Sequence, residues 1–324
     1  MKAIVQDEYG EAERVLRLED VDRPAVGDDE VLLRVHAAGV DRGAWHLMTG
    51  LPYPASRTGY GLRAPRTRVR GRELAGRVEQ VGRNVTTLQP GSEVLGVAEG
   101  CFAEYAVGRA DQLVARPAAL SVEQAAAVPI SGLTALQAVR DHGRVRHGQQ
   151  VLVFGASGGV GTFAVQLAKA FGATVTGVCR TSKMDLVRSL GADHVVDHTR
   201  GEPSGQYDII LDVGGNRTLR QLRRLLTPRG TLVIVGGETD GRWLGGTDRQ
   251  LRAIVLSRFV SQRLGTFVNK ENGADLRELV EHITAGAVKP VLDRTFPLPD
   301  TAAAIRYLVD GRNRGKVVVT VDST

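Results

Sequence analysis

The sequence predicts an α/β protein in which a doubly wound parallel sheet of the Rossmann type is combined with a β-rich domain. Three observations predict it. Residues 151 to about 235 alternate apolar strands with helices, a glycine-rich turn opens that alternation, and residues 1–120 carry short β-favouring segments punctuated by Gly and Pro. A length of 324 residues also exceeds one average domain.

In the first part, Lys2–Val5, Val31–Ala37 and Ala75–Val81 read as strands. Gly39, Gly71, Gly76, Gly82, Gly91, Gly96 and Gly100 fall between or within such segments, which suits a compact barrel-like β domain. Near residue 121 the pattern changes. Ser121 and Gln124 form a capping-box signature, and an Ala-rich helix follows. Strands are then expected at Val151–Phe154, Thr174–Val178, His194–Val196, Ile209–Asp212 and Thr231–Val235. Helices are expected between them at Gly159–Phe171, Ser182–Leu190 and Leu219–Leu226. Strands that are apolar throughout, alternating with helices, imply a parallel sheet covered on both faces. The tail departs from this order: a helix at Ala274–Ala285, a second at Thr301–Val309 capped by Asp300, and a strand at Lys316–Val321. It is expected to return to the first domain.

Composition narrows the class. The chain is 42% hydrophobic and 24% charged, which is ordinary for a globular protein. Its net charge of +6 comes mostly from scattered Arg, with no nucleic-acid motif beside it. A solvated basic surface is expected, and it favours an anionic cofactor by long-range attraction. Cys101 and Cys179 are far apart and lack ligand spacing, which argues for a reducing compartment. The N-terminus lacks a signal-like apolar stretch, and no apolar run approaches a membrane span. A cytoplasmic protein with no membrane or nucleic-acid partner is the expectation.

The main chemical motif is V-L-V-F-G-A-S-G-G-V-G over 151–161. A buried strand runs into a glycine-rich turn and then a helix, and 156–161 read as a form of G-x-G-x-x-G. Gly155, Ala156, Ser157, Gly158, Gly159, Val160 and Gly161 would let the backbone approach a pyrophosphate, and the helix N-terminus would supply amide donors. A site for NAD usually carries an acid about 20 residues further on, at the end of the second strand. Here that end reads T-G-V-C-R-T-S-K over 176–183, without an acid. Arg180 and Lys183 would attract a 2′-phosphate, and Thr181 and Ser182 could donate to it, so NADPH is the expected cofactor. Val213 and Gly214, with Val235, Gly236 and Gly237, lie at the ends of later strands, where a nicotinamide ring could approach; plain turns remain the other reading.

The chain resembles the medium-chain dehydrogenase/reductase superfamily, and within it the zinc-independent quinone oxidoreductase (zeta-crystallin-like) branch. The resemblance runs nearly end to end, through A-G-V at 38–40, G-R-E-L-A-G-R-V-E at 71–79, P-G-S-E-V at 90–94, F-A-E-Y-A at 102–106, L-G-A-D at 190–193 and G-K-V-V-V at 315–319. It implies a GroES-like catalytic domain made of 1–122 plus 266–324, with a Rossmann NADP-binding domain inserted over 123–265. It also implies a homodimer through sheet edges of the cofactor domain, with the partner surface near 242–262. Zinc-using members hold the metal with a Cys after A-G-V, the His of G-H-E, and an often acidic residue before a Pro. These positions hold Asp41, Arg72 and Val128 here, so no zinc is expected. The resemblance further places Thr134 near the nicotinamide, His198 beside the adenosine phosphate, and Asn313 and Lys316 on a segment reaching the cofactor.

On the segment after the third strand, Asp41 and Tyr53 are the candidate catalytic groups. Trp45 and His46 are candidates for the substrate pocket. Without a Lewis acid, a readily reduced quinone or α,β-unsaturated carbonyl suits hydride delivery from NADPH. Two alternatives stand beside this: an enoyl-thioester reductase of polyketide-type synthesis, and a protein that binds NADPH without turnover. Arg63, Arg66, Arg68, Arg70 and Arg72 would form a basic rim for a phosphopantetheine arm only if they face the cleft; the same run read as an RNA contact ranks last, because no interleaved aromatics support base stacking.

Overall fold

A computed structural model of the chain describes residues 1–51, 61, 64–236 and 245–321. It divides into two compact units: Met1–Leu133 with Glu271–Thr284 and Pro290–Thr324, and Thr134–Lys270 with Ala285–Lys289.

The first unit is β-rich. β1 (Lys2–Val5) and β2 (Arg17–Asp20) pair antiparallel around a helical turn, α1 (Ala12–Val15). β3 (Glu30–Val40) is its spine, and α2 (Arg42–Thr49) follows directly. β4 (Glu73–Val81), β5 (Glu93–Val97), β6 (Tyr105–Arg109) and β7 (Leu113–Ala115) complete its N-terminal part. Val31, Leu33 and Val35 alternate inward along β3 to meet Leu74, Val78, Val94 and Phe102 in one apolar core. Burying each such side chain contributes roughly 1.5–3 kcal/mol. The capping box forms as expected: Ser121 Oγ accepts from Gln124 N at 3.2 Å, and Gln124 Oε1 accepts from Ser121 N at 3.0 Å. The Ala-rich helix, however, is two helices, α3 (Val122–Ala126) and α4 (Pro129–Gln137). Pro129 lacks an N–H and disfavours helical backbone at the residue before it, so it opens the second helix.

The second unit carries six parallel strands: β8 (Gln150–Phe154), β9 (Thr174–Cys179), β10 (His194–Asp197), β11 (Tyr207–Asp212), β12 (Leu226–Ile234) and β13 (Arg263–Thr266). Their spatial order is β10-β9-β8-β11-β12-β13, and all neighbours run parallel. This is the doubly wound order, whose topological switch lies between β8 and β11. The helices are α5 (Gly159–Ala170), α6 (Met184–Ser189), α7 (Leu219–Leu225) and α8 (Thr247–Leu256). Leu152, Phe154, Val178, Ile210, Leu232 and Ile234 form its core.

The tail rejoins the first unit through α9 (Gly273–Thr284), β14 (Leu292–Pro297), α10 (Thr301–Val309) and β15 (Lys316–Thr320). β15 pairs antiparallel with β3 and parallel with β14. Asp300 precedes α10 but makes no side-chain cap, because residues Leu298–Asp300 already form a 3₁₀ turn leading into the helix.

Candidate active site

The strand-end turns of the second unit build the site. Gly155 leaves β8 with φ +74, in the left-handed region that favours glycine. A side chain on Gly161 would collide with the Gly155 carbonyl, so the α5 backbone can lie against the turn only without one. Gly158 is the N-cap of α5, and no side chain caps that end. The first-turn amides of this 12-residue helix, from Gly159 and Val160 on, therefore lie at its positive dipole end, directly after the buried turn residues Ala156 and Ser157.

At the next pair of strand ends, Cys179 of β9 is in register with Asp197 of β10, and His198 N donates to Cys179 O at 3.1 Å. The structure thus brings Arg180, Thr181, Ser182, Lys183 and His198 to one edge. Arg180 and His198 are exposed. Asp197, which sequence reasoning missed, sits among them. It accepts from the hydroxyl of Thr181 and from Thr199 N and Oγ1 at 2.9 and 2.7 Å, and Arg200 lies 3.6 Å away. Those hydrogen bonds, Thr181's first, lower its pKa to about 2. The acid was visible in V-V-D-H over 195–198, but on the third strand instead of the second.

Beyond the switch point, Gly214 lies against Gly155: a Cβ on Gly155 would stand 3.0 Å from Gly214 N. A side chain on Gly236 would meet the Val213 carbonyl. The turns ending β8, β11 and β12 are thus stacked side by side. Asp212, the last residue of β11, is buried and paired with Arg249 at 2.6 Å. No spacing rule in the sequence pointed to Arg249. Thr134 is half-buried on α4. Tyr53, Gly237 and Arg63 lie outside the described residues.

In the first unit, Asp41 is the N-cap of α2, and its Oδ1 accepts from Ala44 N at 3.0 Å. Read as a catalytic candidate, it has an immediate structural task. His46 Nδ1 lies 2.8 Å from the Leu51 carbonyl, which can only accept, so Nδ1 carries a hydrogen. Trp45 stands edge-on to His46, ring centroids 4.9 Å apart. In the same unit Glu73 is fully buried. It pairs with Lys316 and accepts from Ile130 N at 2.8 Å, while Lys316 also reaches the Val40 carbonyl at 3.3 Å. Burial pushes the Glu73 carboxyl up, against the pull of the Lys316 ammonium. Lys316, expected on the cofactor, is 1% exposed and spends its cation inside this unit. Asn313 is also buried, and its amide donates to Gly315 O at 2.7 Å.

The described arginines at 68, 70 and 72 have separate surroundings. Arg68 pairs with Asp7 and Glu19, Arg70 is buried, and Arg72 pairs with Glu271 at 2.7 Å.

The chain belongs to the medium-chain dehydrogenase/reductase superfamily and is an oxidoreductase of that type, served by a nicotinamide cofactor. Residues 27–118 match the alcohol dehydrogenase GroES-like domain family, and residues 190–319 the zinc-binding dehydrogenase family. The chain is 33% identical over 357 residues to the NAD(P)H oxidoreductase RTN4IP1, mitochondrial, of Mus musculus, covering 99% of this chain and 89% of that one. Among solved structures, the quinone oxidoreductase from Coxiella burnetii matches with a TM-score of 0.88 at 27% identity, covering 99% of each chain. A mycobacterial protein complexed with NADPH matches with a TM-score of 0.83 at 26% identity, covering 99% of this chain and 100% of that one. No helix among the described residues is long and apolar enough to cross a membrane.

The second family's name implies zinc, and the donor set at the family positions does not fit it. Arg72 presents a guanidinium, which cannot ligate a cation; Asp41 caps a helix; Val128 is apolar. Among the described residues no group of three or more His, Cys, Asp or Glu is placed to hold a metal.

Proposed function

We propose that this chain catalyses hydride transfer from NADPH to a quinone or α,β-unsaturated carbonyl without zinc. The observation that carries the reading is the basic, acid-free end of β9, where Arg180, Ser182 and Lys183 meet His198 from β10. A 2′-phosphate would find two cations there, whereas an NAD ribose would find no carboxylate on β9 to accept its hydroxyls. NADPH, when bound, supplies the hydride. The residues of this chain do the rest: the α5 N-terminus takes the pyrophosphate, and Gly155, Gly214 and Gly236 leave room for the ring. We assign Trp45 and His46 to the substrate pocket, with Trp45 on the flat face of the acceptor; the proton that follows the hydride to the acceptor comes from solvent or a nearby hydroxyl. An acceptor that takes hydride at carbon and spreads charge over a conjugated carbonyl needs no Lewis acid. Two buried free thiols, Cys101 and Cys179, the latter pushed by burial up to about 11, suit a reducing compartment such as the cytoplasm.

The test is a titration with NADPH and with NADH by nicotinamide fluorescence, followed by a panel of quinones, enones and enoyl thioesters. Preferential NADPH binding with oxidation by quinones or enones is the expected result, and Arg180→Glu is expected to reverse the cofactor preference. Turnover confined to enoyl thioesters, binding without turnover, or preference for NADH in the unsubstituted protein would each overturn a named part of the reading.

A homodimer belongs to the same proposal. α8 turns Leu251, Ile254 and Val255 to the surface, Phe259 beyond it is 80% exposed, and among the described residues β13 is the last strand on its side of the sheet. A second copy pairing edge to edge would cover both. Sedimentation should show a dimer that Leu251→Asp with Val255→Asp converts to monomer; a monomeric parent protein would refute it.

A further inference from the structure

We propose that Arg249 is a positioning residue for the nicotinamide half of the cofactor: its guanidinium holds the turns ending β11 and β12 in one arrangement. The proposal rests on the cofactor reading above and adds a residue to it.

Arg249 lies on the first turn of α8, with a side chain only 11% exposed. It makes three short contacts to three different pieces of chain. Nη1 donates to Asp212 Oδ2 at 2.6 Å and to the Arg217 carbonyl at 2.7 Å, and Nη2 donates to the Gly236 carbonyl at 2.9 Å. Asp212 extends the network. Its Oδ1 accepts from Gly215 N at 3.1 Å, and its carbonyl accepts from Val235 N and Gly236 N at 3.0 and 3.1 Å. The side chain of one arginine and the whole of one aspartate thus fix residues 212, 215, 217, 235 and 236 against each other.

Stability alone does not call for this construction. Removing a carboxylate and a guanidinium from water is costly, and an apolar pair of similar volume often stabilises a fold as well. A planar fork of donors does what an apolar pair cannot: it sets directions and distances for several acceptors at once. The acceptors it sets include the backbone of Gly236, which packs on the Val213 carbonyl, in the stack where Gly214 faces Gly155. A ring seated there would meet backbone whose position depends on Arg249, so a small displacement would weaken the nicotinamide half and leave the adenosine half, held at β8–β10, untouched.

The experiment uses the full chain in three forms besides the parent: Arg249→Met, Arg249→Lys, and Arg249→Met combined with Asp212→Asn. Two probes are titrated, NADPH and adenosine 2′,5′-bisphosphate, and melting temperature is recorded. Arg249→Met is expected to weaken NADPH by roughly tenfold or more, while the bisphosphate stays within about twofold of the parent. Arg249→Lys, a point charge without the fork, should recover little of the loss. The double variant removes the stranded carboxylate and keeps an acceptor for Gly215 N, so its melting temperature should return toward the parent while NADPH stays weak. Recovery of NADPH affinity together with stability would overturn the proposal, because the role would then be structural only. Equal weakening of both probes would overturn it as well. If the parent binds neither probe, it is the cofactor reading that has failed, before any variant is compared.

Discussion

Glu73 with Lys316 in the first unit and Asp212 with Arg249 in the second are both carboxylate–cation pairs withdrawn from water, yet they are satisfied in different ways. Glu73 and Lys316 are closed on themselves. Beyond each other they reach one backbone amide, Ile130, and one carbonyl, Val40, in the sheet and helix that already surround them. Asp212 and Arg249 instead reach turns beyond the strand ends, at Gly215, Arg217 and Gly236. The same chemistry therefore secures a core in one unit and shapes a surface for a ligand in the other. What distinguishes them is the identity of the acceptors, and that can be tested by removing the cation from each.

The largest effect is expected from Lys316→Met. It strands a fully buried carboxylate, and breaking such a pair costs about 3–5 kcal/mol. Adding Glu73→Gln, which can still accept from Ile130 N, should restore most of that stability in a denaturant titration. NADPH affinity, measured well below the melting transition, should stay within about twofold of the parent. A tenfold loss of affinity without loss of stability would return Lys316 to the cofactor and make the two pairs alike.

A smaller effect is expected from Gly39→Ala, which sharpens the first half of the comparison. Gly39 faces the Glu73 carboxyl across the interior of its unit. An added methyl would collide with that group and stand 2.6 Å from the Ala126 carbonyl oxygen. Overpacking of this kind costs about 1–3 kcal/mol. The loss should appear in the melting temperature and leave the NADPH-to-NADH affinity ratio unchanged. A change in that ratio would show that the packing around Glu73 reaches the cofactor after all.

The contrast between the pairs also explains what could be read in the sequence. The parallel sheet was legible because its strands are continuous apolar runs, and the turn after β8 because pyrophosphate approach requires glycine at fixed positions. The Ser121 capping box was legible for the same reason: its partners lie three residues apart. Arg249 was not, since it meets Asp212 from 37 residues away with no local constraint on either residue type. On α8 the apolar residues Leu251, Ile254 and Val255 have ordinary helical spacing, but their facing outward is not something spacing reveals. Asp41 carried a second legible feature: an Asp opening a helix is a cap, and Ala44 N is the donor it serves.

The smallest effect is expected at a third carboxylate, Asp197, which stands between the two extremes: hydrogen-bonded as fully as the buried pairs and itself buried, but followed directly by the exposed His198, Thr199 and Arg200. Its folded pKa is lowered to about 2, below the ordinary 3.8. A lowered folded pKa means that its contribution to stability is present above the ordinary value and is lost as pH falls through about 2. Asp197→Asn should therefore flatten the dependence of stability on pH between those two values and leave its slope above them unchanged. The same substitution removes a negative charge beside the cluster assigned to the 2′-phosphate, so NADPH binding should tighten, by about two- to fivefold at low salt and less as salt is added. Weaker NADPH binding in Asp197→Asn would assign the aspartate the opposite role, holding the Thr181 hydroxyl in place for the phosphate. The distinction drawn from the buried pairs, between carboxylates that serve the core and those that serve the ligand, would then extend to the rim of the cofactor site.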